Sequence, residues 1–172
     1  PAKEHVGNVS GTRGKEVYLM NVGIFGLFIL AYYNLIGASF NSVTFGIIFC
    51  MLCTANSGSH PGNVWPIMLG YVNGSFGFSY LSGLAGGTYA MTINAQAIAI
   101  GLCFANGLSP VTSKYGWFWG AVAAVMHFLL VTSVPNMHGG FCLYNGGFTA
   151  ALICVLLVPV LEKCVKTKAE KA

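Results

Sequence analysis

Apolar and polar positions fall in long blocks along this chain, not at the short periods of strands or of amphipathic surface helices. Residues 17–37 form the first block, rich in Ile, Leu, Phe and Gly, with Tyr32, Tyr33 and Asn34 near its end where a membrane interface would sit. Residues 42–53 are a shorter apolar piece. A polar stretch follows, Ser57-Gly58-Ser59-His60-Pro61-Gly62-Asn63, and then a second short apolar run at 64–72. Crossing a hydrocarbon core of about 30 Å takes roughly 20 helical residues, so neither short piece spans alone. Pro61 lacks an N–H, and Gly58 and Gly62 loosen the backbone on either side, so the helix breaks here. Residues 74–82 read as a Gly/Ser/Phe connector. Residues 83–105 read as a second long span with Thr88, Thr92, Asn94 and Gln96 inside it, and 106–116 as a turn. A third span, 117–134, opens on Trp117 and Trp119 and contains His127. A second Gly-rich polar break covers 135–147, and a short apolar run at 148–161 ends the series.

The pattern predicts an all-α integral membrane protein: a polytopic helical bundle with a re-entrant or broken helix pair at 42–73 and a short last helix at 148–161. A flexible polar lead-in (1–16), one transmembrane domain (17–161) and a basic tail (162–172) complete the organisation. Polar irregular backbone at membrane depth survives only where it is buried in protein or lines a wet cavity, so the break at 54–74 is the stretch on which function is expected to centre.

Composition sharpens this picture. Of 172 residues, 55% are hydrophobic and only 7% charged, against about 25% charged in a soluble domain. Between Val17 and Leu161 the only formal charge is Lys114; the remaining basic residues lie in the two tails. The net charge of +4 therefore reads as membrane topology and excludes nucleic acid as a partner, since no basic face exists to meet phosphates. All eight basic residues fall on one side only if 42–73 counts as an even number of passes. That places both termini and Lys114 in the cytoplasm of a multi-pass plasma-membrane protein. The polar first sixteen residues lack the apolar core of a signal peptide. A chain that starts at Pro1 is expected to be the downstream part of something longer. The six cysteines show no disulfide framework, and Cys50 and Cys53 are read as small packing residues rather than a redox pair.

His60 and Asn63 stand just ahead of the run at 64–72. If that run is a half-helix, its N–H groups and positive dipole end face the same space, which suits a solute or an anion. The competing reading is that Ser59, His60 and Asn63 cap the helix. His138, Asn145 and Thr149, around the second break, follow the same logic. Asn94 and Gln96 add polar groups that could line a pathway, although Thr92 and Gln96 could equally bond between helices. His127, alone on an apolar span, is read as a satisfied helix–helix contact. Gly83, Gly86 and Gly87 are spaced for close helix crossing. The two breaks each set a His among helix breakers, but no repeat aligns residue by residue. With no Asp or Glu between Val17 and Leu161, paired-carboxylate catalysis has no material. No metal or cofactor motif is present.

The runs HPGNVWPIMLG at 60–70, NAQAIAIGLCFANGLSPVTSKYGWFWGAVAAVMHF and MHGGFCLYNGGFTAAL resemble the C-terminal half of the bacterial DUF1576 membrane family over about 42–155. The resemblance implies a protein with no assigned activity, and a partner in the form of a second copy or a separate chain carrying the N-terminal half. Leu143 to Thr149, LYNGGFT, is similar to the pore-helix starts of urea transporters. The functional expectation is a membrane channel or transporter half-unit for a small neutral or anionic solute, held at half-helix ends. A non-transporting scaffold or partner subunit is the alternative. An intramembrane hydrolase using Ser59 or Ser82 with His127 is the third reading.

Overall fold

A computed structural model describes residues 14–87, 92–137 and 146–167, the side chains of 135–137 excepted. Among the described residues there is no strand. Helix α1 (Lys15–Leu35) is followed by α2 (Ser42–Cys53), which tightens into a 3-10 turn (Thr54–Ser57). After the break come α3 (Pro61–Leu84), α4 (Gln96–Ala105), a second 3-10 turn (Asn106–Leu108), α5 (Ser109–Tyr115), α6 (Trp117–Met137) and α7 (Gly146–Cys164). Helices α1, α6 and α7 are each long and apolar enough to cross a membrane. Most of their surface is turned outwards: Leu27 is 69% exposed, Leu35 85% and Val155 69%. An outer surface this greasy is that of a protein solvated by lipid.

The predicted helix pair at 42–73 is broken, and the break falls at Gly58–His60. Gly58 takes a left-handed conformation (φ 95°) that ends the 3-10 turn, a backbone that costs glycine nothing. Pro61 then opens α3 at the position where a missing N–H is harmless. The second arm, however, is no short half-helix. It runs 24 residues, straight through 74–82. Gly and Ser weaken helices in water by exposing the backbone and offering competing bonds. In this setting the backbone has no other partner to turn to.

The expected span at 83–105 is the largest departure. Helix α3 ends at Leu84, and Gly86 (φ 74°) turns the chain away. Helix α4 has only 10 residues. Residues 106–115, expected as a turn, are helical, and Gly116 (φ 107°) separates α5 from α6. The last helix is also longer than expected, 19 residues instead of a short run at 148–161.

The contacts fix the directions of the helices. Asn21 Nδ2 donates to the Ser59 carbonyl (3.0 Å), and Gly26 faces Leu52, so α1 and α2 are antiparallel. Tyr33 OH reaches Met51 Sδ (3.9 Å) while its neighbour Tyr32 OH reaches the Met68 carbonyl (3.5 Å). The chain therefore doubles back at the break, with α3 returning beside the arm it left. Tyr33 OH also donates to the Ala99 carbonyl (3.3 Å), and α2 packs on α1 and α4. Helix α4 rises parallel to α2, in register: Gln96 meets Asn41, Cys103 meets Ile47, and Asn106 meets Thr54. Helix α6 descends parallel to α3: Trp65 stacks on Trp117, Gly70 faces Ala121 and Ala124, and Gly74 faces the Phe128 ring. The core is thus two helical hairpins side by side, pointing the same way. Helix α7 lies antiparallel to α6, its Gly146 at His127 and its Glu162 at Lys114.

Lys114, Glu162 and the start of α1 consequently share one end of the bundle, with both hairpin turns. Helix α2 and its 3-10 extension, 12 and 4 residues, rise about 26 Å before the break. The interruption therefore lies near the charged end and not midway through the bundle.

Gly70 and Gly74 set the tightest contact between the hairpins. A Cβ on Gly70 would stand 2.6 Å from both the Ala121 carbonyl oxygen and the Ala124 Cβ; one on Gly74 would stand 2.9 Å from the Phe128 ring. Two small residues four apart let helix backbones close up where apolar burial gives no net drive. The glycines at 83, 86 and 87 do no such work: Gly83 and Gly86 face open space, and Gly87 faces Ser82 of its own turn. Beside the Gly70 contact, His127 is fully buried and bridges three helices. Its Nε2 meets the Gly146 carbonyl (2.8 Å) and its Nδ1 meets Tyr71 OH (2.5 Å). Since a carbonyl only accepts, Nε2 carries the proton and Nδ1 accepts from the tyrosine. His127 is the helix–helix contact that its lone position on an apolar span suggested.

Candidate functional site

Polar side chains gather where the two hairpin turns touch. On the first turn, Thr54, Ser59, His60 and Asn63 follow one another around the break. On the second, Asn106, Ser109 and Ser113 face them. Asn106 Nδ2 bonds Thr54 Oγ1, Ser59 and Ser109 hydroxyls are 3.1 Å apart, and Asn63 Nδ2 donates to Ser113 Oγ (3.0 Å). Ser59, Asn63, Asn106 and Ser109 are all buried, Asn106 completely. Buried polar groups in a membrane bundle are expensive and persist where they serve a structure or a ligand.

The first turn is folded largely on itself. His60 Nδ1 accepts from the Gly62 N–H (3.1 Å), and Asn63 Oδ1 accepts from the His60 N–H (2.9 Å). This is a reciprocal capping box. The Asn63 and Val64 N–H groups bond the His60 carbonyl, and Pro61 has none to offer. Every backbone donor of the first turn of α3 that could have met an anion is therefore occupied. Asn63 also donates to the Gly58 carbonyl (3.0 Å), so one side chain ties the turn to itself and to the neighbouring hairpin.

The second turn is less complete. Thr54 Oγ1 donates its proton to the Met51 carbonyl (2.6 Å) and so can only accept from Asn106. That fixes the Asn106 amide with Nδ2 toward Thr54 and Oδ1 away from it. Oδ1 is buried without a hydrogen-bond partner, and the same holds for Thr112 Oγ1. An unpaired buried acceptor costs about 1–3 kcal/mol. Thr112 Oγ1 instead abuts Gly120, where a Cβ would have no room, so the glycine lets α5 and α6 pack closely around this hydroxyl.

Of the solute-binding residues expected from sequence, His60 and Asn63 meet here, together with Ser59, expected as a cap. Asn94 sits in the exposed turn before α4, and Gln96 is the first residue of that helix, bonding Asn41 Oδ1 (3.2 Å) at the end of the hairpins opposite their turns. Thr149 is buried in the first turn of α7. His138 and Asn145 lie outside the described residues. The hydrolase pairing finds no dyad: Ser59 faces Ser109, and both nitrogens of His127 are committed elsewhere.

Thr54, Asn106, Ser109 and Ser113 were missed, yet the sequence held a signal for two of them. Leu52-Cys53-Thr54-Ala55-Asn56-Ser57-Gly58-Ser59 and Leu102-Cys103-Phe104-Ala105-Asn106-Gly107-Leu108-Ser109 share Leu, Cys, Ala, Asn and Ser in register, fifty residues apart. Each copy is followed within two residues by proline, Pro61 or Pro110. The paired hydroxyls of Ser59 and Ser109 are equivalent positions of this repeat. The two parallel hairpins are thus joined at turns written with the same residues.

No curated protein and no solved structure matches the chain. A family model described as a protein of unknown function, DUF1576, matches residues 9–163, well beyond the 42–155 that the sequence motifs cover, and the chain belongs to that family.

Proposed function

We propose that this protein moves a small, uncharged polar solute across a membrane and holds it where the two hairpin turns meet. One observation carries the reading. Two helix interruptions lie side by side, built from the same repeated residues, and face each other with hydroxyl and amide groups inside an apolar bundle. Many transporters build solute sites from repeated units with discontinuous helices near the bilayer midplane; here the paired interruptions lie toward the charged end, the position of a gate. The lack of Asp and Glu between Val17 and Leu161 favours a neutral solute over a coupling cation. The occupied N–H groups at the start of α3 count against an anion. By the charge rule the end with both tails and Lys114 faces the cytoplasm of a plasma-membrane protein, so the turns form its inner gate. A second copy or a companion chain would cover the outward apolar faces.

Purified protein in proteoliposomes tests this by light-scattering uptake of formamide, urea, glycerol, acetate and nitrate. The expected result is neutral-solute flux above protein-free vesicles, with acetate and nitrate at background. A second reading, a non-transporting scaffold, is favoured by the self-contained cap of His60 and Asn63. Background flux for the whole panel from correctly assembled protein would establish the scaffold and end the transport reading.

A further inference from the structure

Resting on that reading, we propose that the carbonyl oxygen of Asn106 is the selecting group of the site, and that it takes solutes bearing N–H or O–H donors. The argument is one of leftover valence. At the first turn, the amide hydrogens of Asn63 go to Gly58 and Ser113, and the N–H groups of Gly62, Asn63 and Val64 go to His60. Beside the hydroxyl hydrogens of Ser113 and of one member of the Ser59–Ser109 pair, which can rotate, the second turn retains one acceptor whose orientation is fixed. Asn106 Oδ1 is completely buried, is held in one orientation by the Thr54–Met51 bond, and has no partner. A buried acceptor with fixed orientation discriminates strongly, because a ligand without a matching donor leaves it unpaired. The site therefore favours amides and alcohols over anions, whose oxygens would meet a carbonyl dipole end-on.

The repeat supplies its own control. Asn56 is the sequence counterpart of Asn106 in the first turn, but it is exposed. The same substitution can thus be made at a buried and at an outward position of one motif.

In the proteoliposome assay, with assembly checked by size-exclusion chromatography, Asn106→Leu is expected to cut formamide and urea flux about tenfold or more. Asn56→Leu should stay within about twofold of the unaltered protein. Thr54→Val removes the group that orients the amide without touching Oδ1 itself, and should cut flux about threefold to tenfold. Full flux in a folded Asn106→Leu protein overturns the proposal while leaving transport intact. If that variant does not assemble, unchanged flux in Thr54→Val overturns it instead. Faster passage of acetate or nitrate than of formamide in the unaltered protein also refutes it. If the unaltered protein moves none of the panel, the transport reading itself has failed, and this inference with it.

Discussion

Replacing Gly70 with alanine should destabilise the bundle, while the same change at Gly77 should not. Both glycines lie in α3, and both substitutions add one methyl group. At Gly70 the new Cβ would stand 2.6 Å from the Ala121 carbonyl oxygen and 2.6 Å from Ala124 Cβ. Favourable contact lies near 3.5–4.0 Å, so the helices must part by about 1 Å. Both obstacles belong to the α6 backbone or to a Cβ, so no side chain can rotate out of the way. Overpacking of this kind costs about 1–3 kcal/mol. Separation would also stretch the Tyr71–His127 bond, one residue along, which adds about 1 kcal/mol. Alanine returns about 0.5–1 kcal/mol of helix propensity. The net expectation for Gly70→Ala is a loss of about 2 kcal/mol. A Cβ on Gly77 meets nothing within 4 Å, so Gly77→Ala keeps only the propensity gain. The two variants should therefore differ by about 3 kcal/mol, read from reversible unfolding in mixed micelles with a denaturing detergent. Equal stabilities within error would mean that α3 and α6 are not held at this distance, and the packing argument would fall.

Tyr71→Phe leaves His127 Nδ1 buried without its donor and should cost about 1–3 kcal/mol; a double-mutant cycle with His127→Phe should return a coupling of about 1 kcal/mol or more, and additivity would refute the link. Asn63→Ala removes the bonds to His60, Gly58 and Ser113, half of the capping box included, and should lower stability by about 2 kcal/mol, with Asn63→Asp recovering only the bond accepted from His60; full recovery by Asp in the same unfolding measurement would count against the two donated bonds. Lys114→Ala breaks the ion pair with Glu162 (2.9 Å), but both side chains are about half exposed, so the loss should stay under about 1 kcal/mol and shrink with added salt; a larger, salt-insensitive loss would show that the pair is shielded.

The sequence was most legible where helices begin and break. Gly58 and Pro61 marked the first turn to the residue. It was least legible where apolar residues differ only in what they face. Phe25, Ile29 and Tyr33 of α1 are fully buried, whereas Ile24 is 52% exposed and Leu27 69% exposed on the same helix. In lipid both faces are apolar, so the helical period that separates core from surface in water vanishes. Glycine misled for a related reason: 74–82 looked like a connector, while the Gly70–Gly74 spacing that closes α3 on α6 went unread. The repeat was hidden by segmentation. Its second copy straddles the span expected at 83–105 and the turn expected at 106–116, so neither segment alone shows it.

The arrangement of the hairpins also says which parts can move. Helices α3 and α6 are locked by the Gly70 contact, the Tyr71–His127 bond and the stacked Trp65 and Trp117, whose ring centroids are 6.0 Å apart. Backbones this close shift together or not at all. The turns are joined more lightly, by a hydroxyl pair and two amide bonds. On the proposed transport reading, a passage past Asn106 would open by parting the turns, with α3 and α6 as the fixed wall. The Ser59 and Ser109 hydroxyls are 3.1 Å apart, so cysteines at these two positions would bring their sulfurs together at the junction of the turns. A Ser59→Cys/Ser109→Cys protein, made in a background whose native cysteines are replaced by alanine or serine, should conduct when reduced and fall to vesicle background when oxidised, with flux returning on reduction. Undiminished flux from the cross-linked protein would place the moving element elsewhere and remove the turns from the path.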